Sequence, residues 1–206
     1  MNRQRGSETK DIIREMAFKM FLTKGYNSVS FEDIEERIRM SRGCIFYHYA
    51  NKQMLFMDAI DYYFLKTERS CPQTELVKRQ SLLEFIHCHI NHIQEKINYY
   101  NQFLLSETAI NFPHAYLSLL LQAGKYFPDF NRQMEDIFNQ ELQLWKKTLK
   151  HAQETGEIDS HLDCSNIAKQ FKYLSLGMLH THKGKEVIDI SVMERQYLFL
   201  YNMIKL

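Results

Sequence analysis

The feature of this sequence that most constrains its fold is a scarcity of chain breakers together with a helical spacing of apolar residues. The 206 residues include seven Gly and three Pro. Between these residues, long segments carry apolar side chains at positions i, i+3, i+4 and i+7, the spacing of one face of an α-helix. The sequence therefore predicts an all-α protein with about nine or ten helices. A hydrophobic content of 45% is ample for a packed core.

The N-terminal quarter of the chain predicts a helix-turn-helix unit. We expect a first helix over residues 7–24, a second over 31–38 and a third over 41–48. Ser30 precedes the second helix and Asp33 comes three positions later, the pattern of an N-cap with a capping box. Two short helices joined by a tight turn and braced by a longer one form a helix-turn-helix, whose second helix lies in the DNA major groove.

The rest of the chain predicts a linker helix and a larger helical body. Asn51 can cap a fourth helix that runs from Lys52 towards residue 70. Further helices are expected over about residues 74–97, 100–110, 114–125, 129 or 131 to 154, 163–182 and 191–204, the first of them capped by Thr74. We therefore predict two domains, a helix-turn-helix domain over residues 1–52 and a helical domain over residues 53–206.

Charge and cysteine usage restrict the class of protein. Residues 1–52 carry ten Lys and Arg against seven Asp and Glu, whereas residues 53–206 carry sixteen against eighteen. Positive charge is therefore concentrated in the part of the chain that we expect to meet DNA phosphates. The four cysteines are scattered without a CxxC pair, which is typical of a reducing compartment. Because no apolar run resembles a signal peptide or a membrane span, we expect a cytoplasmic protein without membrane contact.

The segment SRGCIFYHYANK, residues 41–52, carries most of the candidate DNA contacts. Neighbouring residues on a helix point about 100° apart, so its consecutive aromatic side chains cannot all face one core. Ile45 and Tyr49 are four positions apart and are expected to face inward, which leaves the side chains between them directed outward. The candidate DNA-binding residues are Ser30, Arg42, Gly43, Cys44, Tyr47, His48 and Lys52.

These residue types suit different contacts with DNA. In the first turn of the third helix, Arg42 can reach guanine or a phosphate, and Gly43 lets the backbone approach closely. Tyr47 and His48 can donate to phosphate oxygens or pack on a thymine methyl group. For His48, a role as a surface bystander is equally open. Lys52 is expected to fix the register of the protein on DNA through a phosphate.

Residues 9–52 resemble the DNA-binding domain of the TetR family of bacterial transcriptional regulators. Many positions agree with the family in one fixed spacing. They are residues 17–21 with Gly25 and Tyr26, VSFEDI at residues 29–34, SRGCIFYHY at residues 41–49 and NKQML at residues 51–55. The resemblance implies the family's fold, a helix-turn-helix domain joined through a linker helix to a helical domain that binds a ligand and dimerises.

Four residues of the reading unit depart from the family's pattern, among them Glu35 and Ile38, which stand where alanine is common. Arg39 stands where the family usually has a turn glycine, so this turn either holds a left-handed residue at some cost or has a different shape. Phe46 replaces a usual tyrosine and lacks the hydroxyl that approaches a phosphate in relatives. The phosphate contact is therefore expected to shift onto Tyr47 and Ser30.

The resemblance implies a homodimeric repressor that leaves a palindromic operator on double-stranded DNA when a small-molecule effector binds. The last two long helices of such proteins pair with those of a second copy. The implied interface consists of Leu174, Met178, Val192, Tyr197, Phe199 and Tyr201. The implied effector site consists of His89, Ile93, Tyr99, Tyr100, Phe103, Phe112, Tyr126 and Phe171. No cofactor is implied.

Other classes of protein are less well supported by the sequence. His89 and His92 in HCHINH lie three apart on one helix face, but no ligand spacing elsewhere supports a metal site. The sequence has no glycine-rich phosphate loop, nucleophile elbow or distinctive carboxylate pair, so we do not expect an enzyme. The departures at Arg39 and Phe46 leave open a helical adaptor of the same fold that does not bind an operator.

Overall fold

The computed structural model of the chain describes residues 2–40, 42–70, 81–104, 111–181 and 188–206, and at residues 2–5, 42 and 179–181 it describes the backbone alone. These residues form ten α-helices and one antiparallel bridge between Ile158 and Lys205. The helices are α1 Asn2–Lys24, α2 Phe31–Ile38, α3 Arg42–His48, α4 Lys52–Ala59, α5 Lys66–Arg69, α6 Leu82–Asn101, α7 Phe112–Tyr126, α8 Phe130–Glu154, α9 Cys164–Thr181 and α10 Ile190–Ile204. The all-α prediction is confirmed for this part of the chain, in which no helix is long and apolar enough to cross a membrane.

Most predicted helices match the observed ones to within a few residues. One difference lies after α6, where the helix continues through residue 101 instead of giving way to a new helix at residue 100. Residues 102–104 then form a turn, and the rest of the predicted helix over 100–110 lies outside the described residues. The predicted cap at Thr74 also lies outside them.

The helix-turn-helix opens with the predicted capping box. The Ser30 hydroxyl accepts a hydrogen bond from the Asp33 N–H at 3.1 Å, and the Ser30 N–H donates to the Asp33 carboxylate at 2.7 Å. Arg39 ends α2 in the left-handed conformation with φ of 54°. A non-glycine residue in this region costs on the order of 1 kcal/mol. The turn thus keeps the left-handed conformation without a glycine, at an energetic cost.

The linker helix is interrupted by a π-helical stretch at Ile60–Leu65. There the Lys66 N–H donates to the carbonyl oxygen of Asp61, five residues back. Tyr63, Phe64 and Leu65 are consecutive and all buried, which one face of a regular α-helix does not allow. The single helix predicted over residues 52–70 is therefore corrected to α4, the π-helical stretch and α5.

The chain packs into two compact units that each combine an early and a late segment. Unit 1 contains Met1–Arg69 and Tyr100–Gln133, and unit 2 contains Ser70–Tyr99 and Met134–Leu206. Unit 1 therefore contains α4 and α7 in addition to the helix-turn-helix. The predicted boundary at residue 52 instead divides the chain into two consecutive segments. That boundary stays a prediction about the DNA-binding domain.

Aromatic rings fill the core of unit 1. Phe18 of α1 stacks on Tyr63 with 5.0 Å between ring centroids and meets Phe103 edge-on at 5.1 Å. Nearly one turn along α1, Phe21 meets Phe56 of α4 edge-on at 5.1 Å. Burial of each aromatic side chain contributes about 1.5–3 kcal/mol. These contacts fix α1 against α4, the helix that begins just after α3.

Trp145 of α8 forms the centre of unit 2. Its buried ring lies parallel to Phe171 of α9 at 4.6 Å, with an angle of 6° between the planes. Phe85 and His89 of α6 meet it edge-on at 4.8 and 5.0 Å, and Tyr197 of α10 lies 6.0 Å away. We call these five residues the Trp145 cluster, because they join the four long helices of the unit.

Glu157 connects the turn after α8 with the start of α6 and with α10. Gly156 adopts φ of 75°, and the Glu157 N–H donates back into the last turn of α8 at 2.8 Å, a glycine-ended C-cap. The Glu157 carboxylate accepts from the backbone N–H groups of Leu82 and Leu83 at 2.8 and 3.2 Å, and from the Tyr201 hydroxyl at 3.0 Å. Because the first N–H groups of a helix lack partners within it, this carboxylate serves as the cap of α6.

Candidate functional site

Helix α3 directs one face to the core and the other to solvent, as the sequence predicts. Ile45 and Tyr49 are 0% and 3% exposed, whereas Tyr47 is 83% exposed. Phe46 is 44% exposed, and its ring meets the edge of Phe31 at 5.0 Å. The Phe46 ring therefore packs partly on α2, whereas most of the Tyr47 side chain is left to solvent.

The other candidate contacts on α3 lie close to Tyr47. The ring of His48 meets the Tyr47 ring edge-on at 5.0 Å. Gly43 is exposed, lies four positions before Tyr47, and has no atom within 4 Å of the place that a Cβ would occupy. Cys44 is half-buried and its thiol is free. Arg42 begins the helix, and its side chain is not among those described.

A buried phenol anchors the inward side of α3. The Tyr49 hydroxyl donates to Asp58 of α4 at 2.6 Å, and the Asp58 carboxylate also pairs with Lys10 of α1 at 3.3 Å. Burial, followed by the hydrogen bond to Asp58, raises the pKa of the Tyr49 phenol. The phenol therefore stays protonated and keeps donating. These contacts fix the orientation of α3 on α1 and α4.

Ser30 is engaged in the cap of α2. Its hydroxyl donates to the Asp33 carboxylate at 2.6 Å while it accepts from the Asp33 N–H. The hydrogen bonds from Ser30 lower the pKa of the Asp33 carboxyl. A phosphate contact through Ser30 stays a prediction, and it requires the hydroxyl to turn away from Asp33.

Lys52 lies at the start of α4 and is held by Tyr26. Its ammonium donates to the Tyr26 carbonyl oxygen at 3.0 Å and lies 4.3 Å from the centroid of the Tyr26 ring. An ammonium has three N–H donors, so this hydrogen bond leaves two for other partners. The predicted phosphate contact thus belongs to a side chain that is already fixed in position.

Tyr126, the last residue of α7, stacks on the same Tyr26 ring. The two centroids are 4.2 Å apart with an angle of 26° between the planes. The Tyr126 hydroxyl donates to Asn27 at 2.9 Å, and its carbonyl oxygen accepts from Gln53 at 3.0 Å. We call Tyr26, Lys52 and Tyr126 the Tyr26 clamp. Since the Tyr126 ring lies on Tyr26, we leave it out of the candidate effector site for which the sequence suggested it.

Gln122 of α7 approaches the Tyr26 clamp from the backbone side. Its side-chain oxygen accepts a hydrogen bond from the Tyr26 N–H. Gly25 has φ of 84°, and a Cβ at this position would lie 2.9 Å from the same oxygen of Gln122. The positive φ therefore favours glycine here, and a side chain at this position would also displace the Gln122 amide.

The remaining residues suggested for the effector site fall in both units. His89, Ile93, Tyr99 and Phe171 belong to unit 2, and Tyr100, Phe103 and Phe112 belong to unit 1. Tyr100 is fully buried, stacks on Phe112 at 5.6 Å and donates through its hydroxyl to Glu68 at 2.9 Å. Phe103 packs on Phe18. Because these three residues fill the core of unit 1, we centre the candidate effector site on the Trp145 cluster.

His89 brings a neutral imidazole into the Trp145 cluster. Its Nε2 shares a hydrogen bond of 3.1 Å with the Tyr197 hydroxyl, and its Nδ1 lies 3.9 Å from the Glu141 carboxylate. Burial lowers the pKa of His89 to about 4, against the opposing effect of Glu141. Burial also raises the pKa of the Tyr197 phenol. At neutral pH the imidazole is uncharged and offers one donor and one acceptor.

An ion pair and an unpaired donor accompany His89. The Lys172 ammonium donates to the Glu141 carboxylate. Burial acts to raise the pKa of Glu141, but the nearby charges, that of Lys172 first, outweigh it and lower the pKa. The Trp145 Nε1–H is buried without a hydrogen-bond partner among the described residues. Such a donor costs about 1–3 kcal/mol, so a molecule that offers an acceptor there gains a strong contact.

The residues suggested for the dimer interface divide between the core and the surface of unit 2. Tyr197 is fully buried in the Trp145 cluster, and Tyr201 is buried with its hydroxyl on Glu157. Both rings face the interior of unit 2, and their contact with a second copy stays a prediction. Phe199 is exposed. Leu174, Met178 and Val192 are half-buried.

Helices α9 and α10 expose more apolar side chains than the sequence singled out. They are Tyr173, Leu176, Phe199 and Met203. Within each stretch these residues recur every three or four positions, so they lie along one side of the helix. We call this set the exposed apolar face of unit 2.

The histidines of α6 have other neighbours than a metal ion. His89 contacts Tyr197 and Glu141, and His92 Nδ1 lies 3.9 Å from the Glu95 carboxylate on the same helix. Among the residues that the structure describes, no group of three or more His, Cys, Asp or Glu side chains is placed to hold a metal ion. The described contacts of His89 are thus those of a packed polar cluster.

Comparison with known proteins connects the helix-turn-helix with one family. Residues 13–59 match the family model described as bacterial regulatory proteins, tetR family. The uncharacterized HTH-type transcriptional regulator YuxN of Bacillus subtilis strain 168 is 29% identical over 85 residues, 37% of this chain and 29% of the relative. The HTH-type transcriptional repressor AcnR of Corynebacterium jeikeium strain K411 is 42% identical over 52 residues, 25% of this chain and 28% of the relative. The chain thus spans less than a third of the length of these curated relatives.

Similarity in fold extends over nearly the whole chain. A candidate transcriptional regulator from Saccharomonospora viridis, solved in complex with choline, superposes with a TM-score of 0.65 at 17% identity. The match covers 97% of this chain and 99% of that protein. At this identity the likeness shows a shared fold.

Proposed function

We propose that this chain, whose residues 13–59 match the model of the tetR family of bacterial regulatory proteins, is a member of that family and a homodimeric repressor. It binds a palindromic operator through α3 and leaves it when a small molecule binds in unit 2. The observation that carries the proposal is the exposure of Tyr47, 83%, on the outward face of α3. A solvent-facing tyrosine adds little to the fold, but it suits packing on a thymine methyl group or donation to a phosphate.

The charge around α3 supports the same partner. Residues 1–52 carry an excess of positive charge, and Lys52 is held in place with two donors left over. Each lysine or arginine that neutralises a phosphate releases counterions from the DNA. A plot of log affinity against log salt concentration therefore has a slope of about −0.9 for each such contact. We therefore expect binding that weakens steeply as salt is added.

Selection from random double-stranded DNA tests operator binding. The purified full chain is expected to enrich a palindrome whose half-sites lie one helical turn apart, about 34–36 Å, because a twofold dimer presents two copies of α3. The affinity for this sequence should fall with salt. If no sequence is enriched and affinity does not change with salt, the helical adaptor becomes the better account.

The exposed apolar face of unit 2 supports the dimer. Several large apolar side chains on one side of α9 and α10 are typical of a surface that a partner covers. We expect light scattering to give the mass of a dimer at micromolar concentration and Phe199→Glu to give that of a monomer. Leu121→Glu is the matched control, since Leu121 of α7 is also exposed and lies in unit 1. A monomeric mass for the unchanged protein contradicts the dimer.

The unpaired Trp145 Nε1–H supports an effector in unit 2 that offers a hydrogen-bond acceptor. The sequence has one tryptophan, so tryptophan fluorescence reports on this site alone. An effector should change this fluorescence and release DNA with the same midpoint, and choline, the ligand of the Saccharomonospora viridis protein, is the first compound to titrate. Trp145→Phe should lose the signal and weaken release. A compound panel that changes neither quantity contradicts release by a small molecule.

A further inference from the structure

We propose that Tyr126 of α7 positions Lys52 for a DNA phosphate by holding Tyr26, so that a residue far outside the helix-turn-helix takes part in DNA binding. The inference rests on the proposed binding of DNA by α3 and the start of α4. It concerns the three residues of the Tyr26 clamp, all of which belong to unit 1.

Lys52 is held in a fixed position before it meets DNA. A free lysine side chain loses rotamer freedom when it binds a phosphate, which weakens the contact. Here the carbonyl oxygen and the ring of Tyr26 already hold the ammonium, at 3.0 and 4.3 Å. The Lys52 side chain therefore loses its rotamer freedom during folding and not on binding DNA. Two of its N–H donors remain for a phosphate.

The last turn of α7 holds Tyr26 in place. The Tyr126 ring stacks on it at 4.2 Å, and Gln122 accepts from its backbone N–H, so α7 contacts both the ring and the main chain. The hydroxyl of Tyr126 adds a hydrogen bond to Asn27, the next residue along. The position of Tyr26, and with it that of Lys52, depends on the last turn of α7.

The remaining ring contacts of Tyr26 belong to the core. Its ring lies 4.9 Å from Phe56 and 5.9 Å from Phe21, both fully buried. Removal of the Tyr126 ring leaves these contacts in place. A variant without that ring is therefore expected to fold, with a loosened Tyr26 and a Lys52 that samples more conformations.

The salt dependence of DNA binding separates positioning from a merely structural role. Lys52→Ala should flatten the slope of log affinity against log salt by about 0.9, the value of one phosphate. Tyr126→Ala should weaken binding about three- to tenfold and flatten the slope in the same direction. In the Lys52→Ala background, Tyr126→Ala should have no further effect on either quantity. Tyr126→Phe keeps the stacked ring and should restore most of the affinity.

The matched control is Tyr62→Ala. Tyr62 is an exposed tyrosine of unit 1 whose ring lies 3.9 Å from the Arg14 guanidinium and 4.9 Å from the Lys66 ammonium. Loss of this ring should leave the salt slope unchanged, and circular dichroism checks that each variant is folded. If Tyr126→Ala weakens binding equally with and without Lys52, the positioning role is wrong while DNA binding stands. If the unchanged protein binds no DNA in a salt-dependent way, the proposed function itself fails.

Discussion

The outward face of α3 and the Trp145 cluster use the same kinds of side chain in opposite ways. Tyr47 leaves 83% of its surface to solvent beside His48, whereas Trp145 is fully buried between Phe171 and the edge of Phe85. Abundant aromatic residues therefore do not indicate binding by themselves. Exposure separates the rings that hold the protein together from those that a partner can reach.

The largest effect that this contrast predicts is on stability. Trp145→Ala removes the centre of unit 2 and should lower the free energy of unfolding by about 3–5 kcal/mol. Tyr47→Ala removes an exposed ring and should change it by no more than about 0.5 kcal/mol. Urea denaturation followed by circular dichroism measures both values. Equal losses in the two variants would remove the distinction between the two regions.

Acid should destabilise the Trp145 cluster through His89. Its pKa of about 4 in the folded protein lies below its ordinary value of 6.5, so the unfolded chain binds a proton more readily. The neutral His89 side chain contributes its full share to the free energy of unfolding above pH 6.5. This contribution is lost as the pH falls towards 4, and the loss reaches up to roughly 3 kcal/mol.

The acid effect is tested on His89 variants by urea denaturation between pH 7 and 4. His89→Gln should flatten the dependence of unfolding free energy on pH relative to the unchanged protein. Tyr197→Phe keeps the imidazole and removes its hydroxyl partner, so it should retain the dependence. Glu141 and Lys172 are present in both variants. If the dependence of unfolding free energy on pH is the same in His89→Gln as in the unchanged protein, the acid effect belongs to these two residues.

The smallest effect concerns the cap of α2. Ser30→Ala removes the hydroxyl that accepts from Asp33 and should lower stability by about 1 kcal/mol. Ser30→Asn restores a capping side chain without the hydroxyl. If Ser30→Asn recovers both stability and DNA affinity, Ser30 acts on DNA through the cap. Recovery of stability alone indicates a direct contact between the hydroxyl and a phosphate.

The local parts of the fold were predictable because local spacing determines them. Ile45 and Tyr49, four apart on a short helix, had to share a face, and this alone assigned Tyr47 to solvent. The cap at Ser30 follows from Asp33 three positions later. By contrast, no glycine or proline marks the π-helical stretch at Ile60–Leu65, so a regular helix was the natural expectation.

The partners of single side chains were not predictable, because they come from distant parts of the chain. Tyr26 and Gln122 are 96 positions apart, and neither periodicity nor a motif connects α7 with the end of α1. Tyr197 shows the same limit, since an apolar run on α10 does not reveal which of its rings turn inward. The Tyr197 ring turns inward towards His89, which lies 108 positions earlier in the chain, and only the folded structure shows this contact.

The DNA affinity of Tyr47→Ala for the selected operator, measured together with its free energy of unfolding, decides whether the outward face of α3 binds DNA. Because Tyr47 is exposed and contributes little to folding, affinity should fall about tenfold or more while stability stays within about 0.5 kcal/mol. An unchanged affinity in a folded variant would contradict the claim that the outward face of α3 binds DNA.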